Sequence, residues 1–229
     1  MKISALLFSI LFMGTTVTDR KEMDCLYIQK AINVDGRLDD AEWKASKVIT
    51  IRDKRGRTNN QGSIRTLWDE NNLYISFQVQ DYDLQAKQAE LDHPLLYKDD
   101  MIEFLIDTEN NKETCWSLDD IIYHINLLGQ KKDDRGTPDC QTNPKWNGKA
   151  EYAIQMFGTL NDSTDIDMGY VVEISISWDE IGQKPFPGLV MGVDFAIGDT
   201  GNLFDWTGAR PFRNPKMFGN LKLIGDTSR

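Results

Sequence analysis

Three carboxylates stand close together at Asp99, Asp100 and Glu103, and His124 follows on the next apolar segment. Paired carboxylates can flank a glycosidic bond as acid and base when their pKa values are pushed apart. Adjacent acids more often face water or hold calcium, and nothing else in the chain supports hydrolysis. Nucleophilic catalysis has less behind it. There is no Gly-x-Ser-x-Gly turn, and His93 and His124 are the only imidazole bases. No glycine loop is built to cradle phosphate, and the spacing of Cys25, Cys115 and Cys140 fits no zinc motif. Binding chemistry remains. Tyr97, Trp116, Trp146, Trp206 and Phe212 lie in or next to polar loops. A sugar ring needs flat apolar faces against its C–H groups, with charged or amide groups at its edge for the hydroxyls. Glu103, His124 and Arg210 are suitable edge groups, Arg210 solely by its place in the Phe212 loop. Asp-rich turns at 35–40, 81–83 and 162–167 offer oxygen ligands for Ca²⁺, none of them with EF-hand spacing.

The central element is 97–107, Tyr-Lys-Asp-Asp-Met-Ile-Glu-Phe-Leu-Ile-Asp. Strand alternation puts Met101, Glu103 and Leu105 on one face and Ile102, Phe104 and Ile106 on the other. A carboxylate between two apolar neighbours is costly unless something satisfies it. Either the face is solvated, or Glu103 lines a ligand groove with Tyr97 at its mouth. Segments 63–68 and 73–80 read as a hairpin across Asp69-Glu70-Asn71-Asn72. Segments 25–29, 47–51, 120–128, 150–157, 170–177, 190–197 and 218–224 read as further strands. A short helix is expected over 38–45 with Asp39 as its cap, and helical turns near 85–91 and 178–182. Segments 129–148 and 198–216 read as long loops. Many short strands with turn punctuation predict an all-β fold, a two-sheet antiparallel, jelly-roll-like β-sandwich with short helical turns. One domain over 25–229 is the economical reading.

The chain has 229 residues and a net charge of −10, with 36 acidic against 26 basic side chains. That sign argues against nucleic acid or an anionic membrane as partner. Lys2, an apolar run from Ile3 to Met13 and a Gly14-Thr15-Thr16 exit have the form of a signal peptide, assigned to 1–18. The expected location is secreted, periplasmic or cell-surface, with no membrane span after signal removal. Export permits disulfides; three cysteines leave at least one unpaired, and Cys115 and Cys140 could bridge two loops flanking one strand.

Five stretches occur in the order found in one known family. They are Val34-Asp35-Gly36-Arg37-Leu38-Asp39-Asp40-Ala41-Glu42-Trp43, Leu67-Trp68-Asp69-Glu70-Asn71-Asn72-Leu73-Tyr74-Ile75, Asp100-Met101-Ile102-Glu103-Phe104-Leu105-Ile106-Asp107, Gly169-Tyr170-Val171-Val172-Glu173-Ile174-Ser175-Ile176-Ser177-Trp178 and Phe218-Gly219-Asn220-Leu221. Together they resemble the family 9 carbohydrate-binding modules. The resemblance implies a β-sandwich that binds oligo- or polysaccharide without cleaving it, in support of polysaccharide breakdown. The sugar would be clamped between Tyr97 and Phe212, which replace the family's two tryptophans, with Glu103 as ligand carboxylate and His124 at a basic ligand position. No cofactor is needed for binding, but structural calcium is implied, without its ligands. Such modules usually accompany a glycosidase, so a separate glycosidase is an expected partner. Two alternatives stay open: a haem-binding redox domain of the same broad superfamily, with His124 and Met101 as axial candidates, and a structural or adhesion module with a vestigial groove. Protein from the native host should lack residues 1–18, cut before Lys21; an intact mass beginning at Met1 would overturn the export reading.

Overall fold

The computed structural model describes residues 20–208 and 210–225. The leader expected at 1–18 lies outside the described residues. Among them, no helix is long and apolar enough to cross a membrane. The chain is mostly strand: β1 (Glu22–Tyr27), β2 (Ile49–Arg52), β3 (Gln61–Trp68), β4 (Asn72–Gln80), β5 (Met101–Asp107), β6 (Asp120–Asn126), β7 (Lys131–Gly136), β8 (Thr142–Asn143), β9 (Glu151–Phe157), β10 (Gly169–Ser177), β11 (Val190–Asp199), β12 (Asn202–Asp205) and β13 (Gly219–Ile224). Their order is β8-β7-β6-β5-β11-β13-β1-β3-β4-β10-β9, with β12 added to β11 and β2 to β3. The sheet curls so that distant strands face each other. Phe77 of β4 meets Phe195 of β11 edge to face at 6.0 Å, and the Tyr170 hydroxyl of β10 reaches the Met101 carbonyl of β5. The core lies between these faces.

The all-β expectation holds; purely antiparallel pairing does not. β1 runs parallel to both β13 and β3, so the sheet is mixed. A parallel neighbour needs a long crossover, and the stretch 28–60 between β1 and β3 supplies it. Apolar alternation reports a strand's faces but not its partners' direction. The expected hairpin forms, with Trp68 opposite Leu73, and β9 pairs β10 antiparallel. Three strands, β7, β8 and β12, sit inside the expected loops. β7, Lys-Lys-Asp-Asp-Arg-Gly, shows no apolar alternation, yet it pairs with β6 and buries a Lys131–Asp133 ion pair at 2.7 Å. β12 doubles back on β11. The expected turn near 85–91 is not helical. The backbone N–H groups of Gln85, Ala86 and Gln88 donate instead to the side chains of Asp100, Asn161 and Asp99. The helix expected over 38–45 is a 3-10 turn at Ala41–Ala45, preceded by Asp40 rather than Asp39. A one-turn α-helix, α1 (Trp178–Ile181), ends on left-handed Gly182. A disulfide joins Cys115 and Cys140, Cα atoms 5.2 Å apart, while Cys25 is free and buried, its thiol pushed up by burial.

The stretch 34–43 is held by one carboxylate. Glu173 of β10 is 1% exposed and accepts from the backbone N–H groups of Asp35 (3.0 Å), Gly36 (2.8 Å) and Leu38 (3.3 Å) and from the Trp43 indole (2.8 Å). Gly36 has φ +84°, and a Cβ there would stand 3.1 Å from the backbone of β9, so glycine is required twice over. Glu173→Gln should lower stability by about 2–4 kcal/mol, because the amide nitrogen presents N–H groups to donors. Trp43→Phe, removing one donor, should cost about 1–2 kcal/mol. Thermal melts check both; a Gln variant as stable as the parent would mean that the carboxylate is not the anchor.

Candidate functional site

Across the β5–β6 pair, Met101 stands opposite Asn126, Glu103 opposite His124 and Leu105 opposite Ile122. Both strands are buried throughout, so the face bearing Glu103 is not a solvated one. Glu103 is 0% and His124 2% exposed, with Oε2 and Nε2 3.2 Å apart. A loop residue completes the cluster. Arg213 donates from Nε to Glu103 Oε1 at 3.1 Å and from its NH2 nitrogen to Oε2 at 3.5 Å, and that nitrogen lies 2.6 Å from His124 Nε2. His124 Nδ1 lies 3.0 Å from the Lys132 carbonyl of β7. A carbonyl only accepts, so Nδ1 carries a proton, and Nε2 stands between the Glu103 carboxylate and the Arg213 guanidinium. Burial alone would push the Glu103 carboxyl up; His124 and Arg213 outweigh it and hold the group below its ordinary value.

Each end of this row carries an aromatic. At one end Leu105, Ile122 and Phe218 form a buried patch on which Phe212 and Trp116 pack. The Trp116 indole donates to the Arg213 carbonyl at 2.7 Å, and the guanidinium carbon sits 5.8 Å from the Phe212 ring centre. At the other end Asn126 donates to Asp99 at 2.8 Å. Asp99 closes the 3-10 turn Leu96–Lys98, which leaves Tyr97 49% exposed beside a groove shared with Gln85, Gln88, Lys98 and Thr200. Met101 to Leu105 spans about 13 Å at the usual strand rise, with Glu103 at its middle.

The structure therefore brings Glu103 and His124 together and sets Phe212 and Tyr97 at opposite ends of their row. Arg210 goes elsewhere. It pairs with Asp205 at 2.9 Å, beside Arg52, Lys54 and Arg57, and the guanidinium on Glu103 is that of Arg213. Sequence reasoning missed Arg213, although a buried strand carboxylate calls for a cation and Arg213 adjoins Phe212. Trp206, counted among the loop aromatics, is a core plug at 5% exposure. Haem ligation through His124 meets an obstacle, since both ring nitrogens are engaged. A wider cleft is lined by Tyr27, Trp68, Glu70, Lys184 and Phe186 and shares no residue with this face. It offers apolar walls without a buried charged group, so the Glu103 row is the better-built site.

Acidic clusters stand at the two ends of β5. Asp81, Asp100 and Asp199 bring carboxylate oxygens within 4.8 Å of one another, as do Asp107, Asp119 and Asp120. Asp81 Oδ2 and Asp120 Oδ1 are buried with no hydrogen-bond partner. Burial, reinforced by neighbouring carboxylates, pushes Asp100 up to about 8 and Asp81 up to about 6. Lys112 stands beside Asp107 in the second cluster. The first has no ion-pair partner among the described residues, so its all-oxygen donor set fits a hard cation better. The Asp-rich turns 35–40 and 162–167 form no such group among the described residues.

A family model described as carbohydrate family 9 binding domain-like matches residues 34–226. Endo-1,4-beta-xylanase A of Thermotoga neapolitana is 26% identical over 202 residues, which are 83% of this chain and 17% of the xylanase. Exoglucanase XynX of Acetivibrio thermocellus is 25% identical over 203 residues, 85% of this chain and 16% of that protein. The chain thus spans about a sixth of these relatives. A family 9 carbohydrate-binding module from Caldicellulosiruptor kristjanssonii, solved with cellotriose, superposes with a TM-score of 0.69 at 21% identity, covering 91% of this chain and 96% of the module. The same module with glucose gives 0.68 at 22% identity, covering 91% and 98%.

Proposed function

The chain belongs to the carbohydrate family 9 binding domain-like family, and on that premise we propose that it binds oligo- or polysaccharide on the β5–β6 face without cleaving it. The observation that carries the reading is the Glu103–His124–Arg213 cluster, a carboxylate, an imidazole and a guanidinium fixed between Phe212 and Tyr97. The aromatics offer C–H stacking faces and the cluster offers hydrogen bonds to hydroxyls. Glu103 lies beneath Arg213 and against His124, a position for holding charge rather than for protonating a leaving group. The family's relatives are xylan- and glucan-degrading enzymes by name, which supports a role in polysaccharide breakdown beside a separate glycosidase. That role fits a secreted, periplasmic or cell-surface protein. The same reading takes the curled sheet as a jelly-roll-like sandwich.

Incubation with cellotriose should raise the melting temperature, as ligand linkage requires, and leave the sugar intact by chromatography. Tyr97→Ala and Phe212→Ala should each weaken binding, up to about tenfold for a lost stacking face. Hydrolysis of the sugar, abolished by Glu103→Gln, would make this an enzyme instead.

Structural calcium belongs to the same proposal, at Asp81, Asp100 and Asp199. A carboxyl whose folded pKa is raised binds its proton more tightly in the native state. Without a cation, stability should therefore fall as pH rises from about 4 toward 8, the interval between the ordinary and the raised value of Asp100. Calcium replaces the protons, so it should raise the melting temperature more at pH 8 than at pH 5. Equal melts with calcium and with chelator at pH 8 would remove the ion from the reading.

A further inference from the structure

Arg213 is the one member of the Glu103 cluster that solvent reaches. Its side chain is 41% exposed, against 0% for Glu103 and 3% for His124. The guanidinium spends Nε and NH2 on the two buried groups. Its NH1 nitrogen has no hydrogen-bond partner among the described residues, so two donors of the fixed plane are unspent on a side chain that solvent reaches. The plane is held from three sides. Glu103 and His124 take its inner edge, the Phe212 ring lies under it, and the Trp116 indole fixes the Arg213 backbone carbonyl.

A ligand cannot touch Glu103 without first removing Arg213. That would leave a fully buried carboxylate with His124 as its remaining partner among these groups, and stripping one partner from a buried pair is strongly unfavourable. Binding to Arg213 where it stands costs far less, because the group is already oriented and its inner donors stay satisfied. We propose that Arg213 is the specificity-determining residue of the site, donating through its NH1 edge to adjacent hydroxyl oxygens of a sugar ring that lies against Phe212. Glu103 then acts from behind, by holding the guanidinium. The inference rests on the carbohydrate reading above and deepens it: the selected feature is a pair of neighbouring hydroxyls, not a single one. A flexible ammonium in place of the guanidinium keeps the charge but not the planar pair of donors.

The test is calorimetric titration of the whole chain and its Arg213→Lys and Arg213→Ala variants with cellotriose, glucose and xylotriose, beside thermal melts. Guanidinium ¹⁵N resonances of the parent are followed in the same titrations. Arg213→Lys should melt close to the parent and bind roughly tenfold more weakly, the loss expected when a hydrogen bond to a charged group goes. Arg213→Ala should lose at least as much, and the Arg213 guanidinium signals should shift as the sugar binds. If either variant binds as tightly as the parent or tighter, Arg213 is a plug that the sugar displaces to reach Glu103, and the inference fails while carbohydrate binding stands. If the parent binds none of the three sugars, the carbohydrate reading itself falls, and this inference with it.

Discussion

A buried carboxylate must be given partners or it will not stay charged, and two of them shape this molecule. Glu173 is satisfied from within by three backbone N–H groups and the Trp43 indole, so it serves as an anchor that ties 34–43 to β10. Glu103, equally buried, is satisfied by the imidazole on the next strand and by a guanidinium from a loop 110 residues away. The same chemical demand gives a structural clasp in one place and a binding surface in the other. The difference lies in the partner. Backbone amides close Glu173 off, whereas the half-exposed side chain of Arg213 carries the Glu103 cluster to the surface.

β5 is the strand on which the site depends. Its length is buried on both faces, and its two ends carry the acidic clusters around Asp100 and Asp107. Each cluster gathers chain from separate elements: Asp81 follows β4 and Asp199 ends β11, while Asp119 and Asp120 open β6. Burial, reinforced by the neighbouring Asp81 and Asp199 carboxylates, pushes Asp100 up, so its charged form is disfavoured where it stands. Between the clusters, the strand places Glu103 midway between Phe212 and Tyr97.

The loops are less free than their composition implies. The 85–88 stretch has polar, helix-compatible residues, but its amides are claimed by Asp99, Asp100 and Asn161. The 210–217 stretch approaches β5 because Phe212 has an apolar patch to cover and Arg213 a carboxylate to neutralise. Loop residues that bury one face against a rigid sheet can present the other with little conformational loss on binding.

Much of this was open to a reader of the sequence. Alternation along 73–80 and 101–107 determined strands, the Asp69–Asn72 turn a hairpin, and a lone Glu between Met101 and Leu105 a site in need of explanation. Five ordered stretches pointed to the family. These are local signals, since strand period and turn chemistry are written in neighbouring residues. β7 escaped because its pairing runs through backbone and ion pairs rather than apolar alternation, and β1 hid its parallel neighbours because side-chain period carries no direction. Only the tertiary structure decided which arginine meets Glu103. Arg210 and Arg213 share a loop and a chemistry, and nothing local separates them. Asp205 takes one and the buried carboxylate takes the other, because long-range packing sets which guanidinium lies within hydrogen-bond reach of which charge.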